Sequence, residues 1–193
     1  MSEIKIRIAT TEDAEQLLKI YSYYVENTAI TFEYEVPSLK EFQYRIKKIL
    51  DRNPYLVAEL DGKITGYSYA GIFKDRAAYD WSVETTIYVD KDFHGKGIGK
   101  MLYTELERYL KLMNITNVNA CIAYTAKEDQ YLTNDSPAFH EKMGYKLVGK
   151  FTDSGYKFNR WYDMIWMEKN IGEHKDNQPA IIKFPDIIRN FSK

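Results

Sequence analysis

The spacing of apolar residues divides the first 60 residues into a strand, two helices and a second strand. The opening IKIRI alternates apolar and polar positions, as a half-buried strand does. Behind Thr10, one helical face is formed by Ala14, Leu17, Leu18, Tyr21 and Val25. Ser38 with Glu41 fits the capping box of a second helix, which we expect to end before Pro54.

The middle of the chain predicts a hairpin, a further strand and a long helix. YLVAEL and KITGYSYAGIF flank Asp61 and Gly62, a pair that accepts the positive φ angles of a tight hairpin. VETTIYV at 83–89 predicts a strand that leads into FHGKGIGKML. The helix behind that segment has a regular apolar face, formed by Leu102, Leu106, Tyr109, Leu110 and Met113. On its polar side, we expect Glu107 and Lys111 to form an exposed pair one turn apart.

The last third predicts a strand, a short helix and another strand, from NVNACIAY, SPAFHEKMG and YDMIWMEK. The order β, α, α, β, β, β, α, β, α, β indicates an α+β fold built mostly from neighbouring strands. One strand–loop–helix crossover lies at its centre. From residue 172 the composition becomes polar, with two prolines, before the apolar IIKFPDIIRNF. We therefore expect one domain at 1–171 and a tail at 172–193, docked on the domain or on a second subunit.

Composition is that of an ordinary globular protein and favours a small molecule as the partner. Apolar residues make up 45% of the chain, charged residues 28%, and the formal charge is −1. That charge gives no overall field for nucleic acid or membrane phosphates, so neither partner is expected. No apolar run approaches the ~20 residues of a spanning helix, and MSEIKIRIAT lacks the apolar stretch of a signal peptide. We therefore expect a cytoplasmic protein.

The cysteine and tyrosine contents say less about function. The lone Cys121 cannot form an internal disulfide and offers no zinc cluster, so no metal site is expected. Its apolar neighbours in NACIAY favour a place in the core over a role as nucleophile. The 17 tyrosines suit a partly open cleft or a dimer face, and they suit ordinary strands equally well.

The segment FHGKGIGKML places three glycines between a strand and the start of a helix. Backbone N–H groups without helical partners point outward at such a place, and phosphate is their natural ligand. A P-loop requires Gly at 94 and Ser or Thr at 101, where His94 and Met101 stand. A dinucleotide fingerprint requires a third Gly at 100 or 102, where Lys100 and Leu102 stand. We interpret the segment as a shorter pyrophosphate cradle.

HGKGIGKML resembles the Gln/Arg-x-x-Gly-x-Gly/Ala acetyl-CoA loop of the GNAT superfamily of N-acetyltransferases, with His94 where Gln or Arg is usual. NPYLVAELDGKITGYSYAG, RAAYDWSVETTIYV, HEKMGY and GYKFNRWYDMIWME resemble the phosphinothricin acetyltransferase branch, over roughly residues 4 to 170. The resemblance implies a mixed, mainly antiparallel sheet with flanking helices, splayed beside the glycine loop. It also implies acetyl-CoA as co-substrate and a homodimer.

The resemblance implies roles for individual residues. Glu84 matches the general base that removes a proton from the amine, and His140 stands where many relatives carry a tyrosine that acts as general acid toward the thiolate. Backbone groups of Ile87, Tyr88 and Val89 match those that pair with the pantetheine arm. The cradle is assigned to His94, Gly95, Lys96, Gly97, Ile98 and Gly99.

Further matches concern the cofactor and the acceptor. Asn134 matches an asparagine that reaches the cofactor in relatives. Phe32, Arg76 and Tyr79 match positions that line the amino-acid site, where the Arg76 guanidinium would form a fork onto a carboxylate or phosphinate. Without the resemblance, Arg76 reads equally well as a solvated loop residue.

The expected function is therefore acetyl transfer from acetyl-CoA to the primary amine of a small amino-acid-like compound, of the phosphinothricin or methionine sulfoximine type. Fold and cofactor loop do not specify the amine, so an acetyltransferase for a polyamine or a peptide N-terminus is an alternative. A second alternative is a non-catalytic acyl-CoA sensor. The presence of both Glu84 and His140 disfavours the sensor.

Overall fold

A seven-stranded sheet organises the chain in the computed structural model, which describes residues 3–191. Its strands are β1 Lys5–Ile8, β2 Tyr55–Leu60, β3 Lys63–Ile72, β4 Ser82–Val89, β5 Asn117–Tyr124, β6 Lys146–Lys157 and β7 Arg160–Asn170. The helices are α1 Ala14–Asn27, α2 Leu39–Leu50, α3 Ile98–Leu112, α4 Asp135–Lys142 and α5 Phe184–Phe191. Neighbouring strands follow the order β1-β2-β3-β4-β5-β7-β6. All pairs are antiparallel except β4 with β5, which confirms the predicted mixed, mainly antiparallel α+β fold.

Each face of the sheet carries its own hydrophobic core. On one face α1 and α2 pack over β2 and β3, with Tyr21, Phe42 and Tyr67 buried between them. On the other face α3 covers the sheet, and Leu102 and Leu106 are fully buried. Because strand side chains alternate between faces, neighbours along β4 belong to different cores. Residues 84, 86 and 88 therefore face α1 and α2, whereas residues 83, 85 and 87 face α3.

The sheet opens between β4 and β5. Their parallel register comprises three pairs and ends at Glu84 with Asn119, although β4 continues to Val89 and β5 to Tyr124. At this last pair, side chains hydrogen-bond to backbone carbonyls of the opposite strand. The Asn119 Nδ2 group donates to the Val83 carbonyl at 3.2 Å, and the Thr85 hydroxyl donates to the Asn119 carbonyl at 3.2 Å. Beyond this point the two strands diverge and leave a cleft.

Local signals in the sequence lie where the structure uses them. Asp61 and Gly62 have φ angles of 51° and 78°, as a tight hairpin between β2 and β3 requires. The Ser38 hydroxyl accepts a hydrogen bond from the Glu41 N–H at 3.2 Å, so Ser38 caps α2. Within residues 3–191, every helix is too short or too polar to cross a membrane.

Three features differ from the sequence-based expectations. β6 was not predicted, because this edge strand is exposed on both faces and shows no alternation. Its turn to β7 uses positive φ angles at Phe158 and Asn159 without a glycine. The helix α5 was not predicted either. The expected pair of Glu107 with Lys111 is wrong, because Glu107 is buried and both its oxygens accept from Lys169 on β7, at 2.7 and 2.8 Å.

The segment after residue 171 packs on the body of the chain. The Ile182 N–H donates to the Met113 carbonyl at 3.0 Å, and the Phe184 N–H donates to the Arg52 carbonyl at 2.9 Å. The Phe184 ring is fully buried in the core beneath α3. A division of the chain at residue 171, and any contact of this segment with a second subunit, stay predictions.

A buried lysine fastens the connection between α1 and α2 to the β6–β7 hairpin. The Lys157 ammonium donates to the carbonyls of Val25, Thr28 and Thr31, at 2.7, 2.9 and 2.8 Å. The hairpin also approaches Phe32 closely, since a Cβ atom placed on Gly155 would lie 2.3 Å from its ring. These contacts position Phe32 beside the end of the sheet where the cleft opens.

Candidate functional site

The cleft between β4 and β5 is the centre of the candidate site. It encloses a cavity of about 60 Å³. The lining residues are Ile30, Thr85, Thr86, Ile87, Tyr88, Tyr103, Ala120, Cys121, Ile122, Ala123, Ser136 and His140. Both faces of the sheet contribute to this set, because the cavity lies where the sheet itself is interrupted. A ligand in the cleft would therefore contact residues of both faces at once.

Glu84 lies at the point where the strands separate, on the face covered by α1 and α2. Its register partner on β3 is Gly71, so β3 places no side chain beside the carboxylate. Burial raises the pKa of Glu84 above its ordinary value, while the nearby Lys74 ammonium acts in the opposite direction. A carboxylate with a raised pKa at the edge of a cleft is suited to accept a proton from a substrate.

Cys121 lies on the same face as Glu84. Its side chain is exposed, so the expectation that it belongs to the core is wrong. Its register partner on β7 is Trp166, whose ring also faces the Glu84 side of the sheet. Desolvation, with the Glu84 carboxylate as a smaller cause, raises the pKa of the thiol to about 11. The thiol is therefore protonated near neutral pH and is a poor nucleophile.

His140 lies on the opposite face, on α4, and is 3% exposed. Its Nδ1 is 2.8 Å from the Ser136 carbonyl, which can only accept, so the proton lies on Nδ1. Burial lowers the pKa of His140 to about 4, so the imidazole is neutral near pH 7. Its Nε2 therefore accepts a hydrogen bond from the Tyr103 hydroxyl, at 3.0 Å. In this state Nε2 has no proton to donate.

The glycine segment forms an open turn before α3. Gly95 and Gly97 have φ angles of 73° and 80°, which side chains rarely adopt. Gly97 is the N-cap of α3, so the first N–H groups of a 15-residue helix lack helical partners beyond it. Gly99 has a different role. A Cβ atom there would lie 3.1 Å from the Phe139 ring, so this glycine lets α4 approach α3.

The flanking residues of the segment have defined contacts. His94 Nε2 lies 2.9 Å from the Tyr24 hydroxyl and 3.1 Å from the Val89 carbonyl, so this side chain holds the end of β4. The Lys96 ammonium donates to the Asp92 carbonyl at 2.9 Å. The Ile98 side chain is buried in the core, which leaves only its backbone for a ligand. Ile87 and Tyr88 line the cleft from opposite faces of β4.

Asn134 lies directly before α4 and organises the loop that follows β5. Its Nδ2 group donates to the Thr125 carbonyl at 2.9 Å, and its backbone N–H donates to the Glu128 carboxylate at 2.8 Å. Its Oδ1 atom is buried and has no hydrogen-bond partner within residues 3–191. The predicted contact of Asn134 with the cofactor stays a prediction.

The three predicted acceptor residues do not form one cluster. Phe32 packs against Tyr162 and the β6–β7 hairpin. Arg76 and Tyr79 lie in the connection between β3 and β4, which leads into Glu84. Arg76 is exposed and forms no ion pair within the described part of the chain. Tyr79 is also exposed, with its ring 6.0 Å from that of Phe73. Their role at the acceptor stays a prediction.

The structure adds residues that the sequence did not single out. Tyr103 on α3 faces the cleft and contacts His140. In the sequence it stands beside the apolar residues of an amphipathic helix, so nothing there indicated a catalytic role. A second, larger cavity lies on the α1 and α2 face and is lined by five tyrosines. The alternation of Tyr67 and Tyr69 in GYSYAG places both rings on one face of a strand, and this spacing was the available signal.

Comparison with known proteins agrees with this geometry. Residues 6–166 match the acetyltransferase (GNAT) domain model. The chain belongs to the GNAT acetyltransferase family. It is 34% identical over 168 residues to a phosphinothricin N-acetyltransferase of Streptomyces viridochromogenes, covering 86% of this chain and 87% of that protein. It is 25% identical over 177 residues to an L-methionine sulfoximine/L-methionine sulfone acetyltransferase of Salmonella typhimurium, covering 88% and 95%.

A solved structure from the same family has the same fold. The GNAT superfamily phosphinothricin acetyltransferase of Sinorhizobium meliloti, in complex with AcCoA, matches with a TM-score of 0.84 and 32% identity. The match covers 95% of this chain and 96% of that one. The chain is thus an acetyl-CoA-dependent N-acetyltransferase, as the sequence predicted.

The observed geometry fits acetyl-CoA. The unpartnered N–H groups at the start of α3 and the turn at Gly97 suit a pyrophosphate. Beyond Glu84, the β4 edge that faces β5 has no strand partner, so its backbone groups can pair with the amide groups of a pantetheine arm, apart from the Val89 carbonyl, which Tyr24 and His94 already contact. The cleft then leads from the glycine turn to Glu84 on one face and to Tyr103 and His140 on the other.

We expect Gly97→Ala to weaken acetyl-CoA binding about tenfold, because the left-handed conformation costs a side-chain-bearing residue roughly 1–2 kcal/mol. No atom lies within 4 Å of the added Cβ, so the effect is conformational rather than steric. Isothermal titration calorimetry with acetyl-CoA measures the change. Gly149→Ala is the matched control, since a Cβ there also meets nothing and its φ lies outside the left-handed region. Equal affinities of both variants would argue against the cradle.

Proposed function

We propose that the protein transfers the acetyl group of acetyl-CoA to the primary amine of a small amino-acid-like compound by direct attack. The observation that carries this proposal is the placement of two chemical groups on opposite faces of one cleft: Glu84 on the α1 and α2 face, and the Tyr103–His140 pair on the α3 face. The names of the relatives from Streptomyces viridochromogenes and Salmonella typhimurium support an acceptor of this class.

Glu84 serves as the general base in this proposal. Acetyl-CoA supplies a thioester whose acyl carbon is attacked by the amine and whose sulfur leaves as thiolate. An alkyl ammonium has a pKa of about 10, so the amine must lose a proton before or during the attack. The pKa of Glu84 is raised toward neutral pH, so its carboxylate is a stronger base and a more effective proton acceptor at pH 7. Its position at the end of the paired part of β4 puts it beside the cleft.

Tyr103 and His140 act on the thiol side. Since the neutral His140 carries its proton on Nδ1, it does not protonate the leaving sulfur directly. Instead, its Nε2 holds the Tyr103 hydroxyl, which lines the cleft. Rotation about the tyrosine C–O bond exchanges this hydrogen bond for one into the cleft, where the hydroxyl stabilises developing negative charge. The imidazole still packs against the Tyr103 ring, with the ring centroids 5.5 Å apart. This arrangement keeps the predicted involvement of His140 but makes it a positioning residue.

A homodimer through the β6–β7 hairpin is part of the proposal. This edge of the sheet exposes a group of large apolar side chains: Leu147, Val148, Phe151, Tyr156 and Trp161. Phe151 on β6 is 56% exposed and Trp161 on β7 is 61% exposed, and the outer edge of β6 has no strand partner among the described residues. Such an edge invites pairing with another chain, and a second copy presents the same surface. A cytoplasmic location stays a prediction.

We expect Glu84→Gln to lower kcat for amine acetylation by about 100-fold or more, because general-base catalysis contributes roughly 10²–10⁴-fold. In the wild-type enzyme kcat/KM should rise with pH as Glu84 loses its proton, and this step should lie above the ordinary carboxyl range because its pKa is raised. In the variant that step should vanish, and the rate should climb toward pH 10 as free amine accumulates.

Thiol release from acetyl-CoA with phosphinothricin, methionine sulfoximine, polyamines and short peptides measures these rates. Glu141→Gln is the control, since it makes the same change on an exposed part of α4. An unchanged pH profile in Glu84→Gln would remove the carboxylate from the mechanism. Acetyl-CoA binding without turnover of any amine would favour the acyl-CoA sensor.

We expect Tyr103→Phe to lower kcat about tenfold while KM for acetyl-CoA changes less than about twofold, because one hydrogen-bond donor to the leaving group is lost. His140→Ala should have a similar effect, since the Tyr103 ring loses the imidazole that packs against it and fixes its position. Stopped-flow or steady-state thiol release measures both. If His140 itself were the acid, Tyr103→Phe would be harmless and kcat would show a proton loss near pH 6.5 that only His140→Ala abolishes.

We expect the wild-type protein to sediment as a dimer and Phe151→Lys to sediment as a single 22.7 kDa chain. The charge would be buried against a second copy, which costs more than the interface gains. Sedimentation velocity at micromolar concentration distinguishes the two states. Tyr44→Lys is the control, because Tyr44 is equally exposed on α2. A monomeric wild type would contradict the proposed dimer.

A further inference from the structure

A second cavity, of about 380 Å³, lies on the α1 and α2 face of the sheet. The roles proposed for Glu84, Tyr103 and His140 do not use it. Its walls are aromatic and come from α1, α2 and three strands: Tyr21, Phe42, Tyr55, Tyr67, Tyr69 and Tyr88. Pockets that hold small ligands typically measure about 300–1,000 Å³ and combine apolar walls with a few polar groups. We refer to this space as the tyrosine cavity.

The rings of the tyrosine cavity form a continuous wall across the sheet. The centroid of Tyr55 lies 4.9 Å from that of Tyr69 and 5.7 Å from that of Tyr67. Tyr67 in turn lies 5.5 Å from Tyr88, which contacts Tyr21 at 5.1 Å. Aromatic pairs in these geometries hold one another in place. The wall is therefore rigid, and its shape suits a flat group.

Two hydroxyls of the wall are unpartnered although their residues are buried. Tyr55 is 2% exposed and Tyr67 is 1% exposed. Within the described residues, neither hydroxyl forms a hydrogen bond, and neither is sealed from the cavity. The neighbouring Tyr21 hydroxyl, by contrast, is bonded to Thr31 at 2.9 Å. The tyrosine cavity thus presents two hydrogen-bonding groups that the protein itself does not use.

The charges at the rim of the tyrosine cavity largely balance. Three cationic side chains line the cavity, Arg45, Lys48 and Arg52, and the carboxylates are those of Glu33 and Asp75. Glu33 is engaged by Arg45 at 2.7 Å. Arg52 is engaged by Asp80 at 2.7 Å. Lys48 and Asp75 form no ion pair with any described residue, so the rim carries no excess charge of either sign. Selection of the occupant is left to the aromatic wall and its two unpartnered hydroxyls.

The tyrosine cavity adjoins Glu84 along the sheet. Gly71 is the cross-strand partner of Glu84, and Tyr69 lies two residues before Gly71 on the same face. Diagonal neighbours of this kind are roughly 7–8 Å apart. The absence of a side chain at Gly71 leaves the path between them clear. A molecule with its amine at Glu84 can therefore extend into the cavity by a chain of two or three atoms.

We propose that the tyrosine cavity binds the side chain of the acceptor and selects arylalkyl amines or aromatic amino acids whose ring carries a hydroxyl or another oxygen. This inference rests on the proposed acetyltransferase function. The aromatic wall takes the ring, the hydroxyls of Tyr55 and Tyr67 bind its oxygen, and Glu84 meets the amine. A short aliphatic amino acid would leave most of the cavity to water.

The test compares tyramine with phenethylamine, two amines that differ by one hydroxyl. We expect the wild-type enzyme to acetylate tyramine with a higher kcat/KM than phenethylamine, spermidine or methionine sulfoximine. Tyr67→Phe, alone and with Tyr55→Phe, keeps the rings and removes the hydroxyls. These variants should lose about tenfold in kcat/KM for tyramine and less than about twofold for phenethylamine, as expected for one or two lost hydrogen bonds.

Tyr44→Phe is the matched control, because it makes the same change at an exposed position of α2 and should leave both substrates unaffected. Equal losses for tyramine and phenethylamine, or none, would overturn the inference. So would fast turnover of methionine sulfoximine with no turnover of tyramine, a result that leaves the acetyltransferase function standing.

Failure of every amine to turn over would refute the proposed function but would not by itself test the cavity. Calorimetry of tyramine and phenethylamine with the wild-type protein then tests the cavity directly. Tighter binding of tyramine that is lost in the double variant would support the cavity. Equal binding of the two amines, or none, would overturn it.

Discussion

The structure depends on the point where β4 and β5 stop pairing. Separation of two strands leaves backbone groups without partners, which is costly in a protein interior. Two side chains mark the point of separation: Asn119 donates to the Val83 carbonyl in the paired part of β4, and Thr85 donates to the Asn119 carbonyl, the last paired one of β5. Beyond them, the free edges are a ready place for the amide groups of a bound pantetheine. The interruption of the sheet and the candidate binding site are therefore the same feature.

Because the cleft passes through the sheet, the two faces can carry different chemistry. Strand alternation puts Glu84 on the α1 and α2 face and Thr85 on the α3 face, where its hydroxyl lies 3.0 Å from that of Tyr145. In the proposed reaction, the proton acceptor for the amine is thus kept apart from the hydrogen-bond donor for the thiol.

The sequence predicted what is local and regular. The Asp61–Gly62 turn and the Ser38 cap are set by backbone preferences of a few residues, and α3 by one unbroken apolar face. β6 was missed because an edge strand exposed on both faces has no alternation. Glu107 was misassigned because its partner, Lys169, is 62 residues away and is brought near only by the sheet.

The candidate site divides in the same way. The glycine turn and the position of Glu84 before it belong to one continuous stretch of sequence, so the sequence located them. The protonation state of His140 could not be predicted from the sequence, since it depends on burial by α3 and on the Ser136 carbonyl. The involvement of Tyr103 could not be predicted either, because Tyr103 meets His140 only where Gly99 lets the two helices approach.

The tyrosine cavity separates recognition from chemistry. If Tyr55 and Tyr67 served packing alone, phenylalanine would fill the same volume without burying a hydroxyl, which costs about 1–3 kcal/mol when it finds no partner. Both residues keep the hydroxyl on strands away from the cleft, and both hydroxyls remain open to the cavity. They are therefore placed to bond a ligand in the cavity. In the proposed reaction the glycine turn and the cleft define the acetyl donor, and the α1 and α2 face is left to define the amine. This division agrees with relatives that are named for different acceptors.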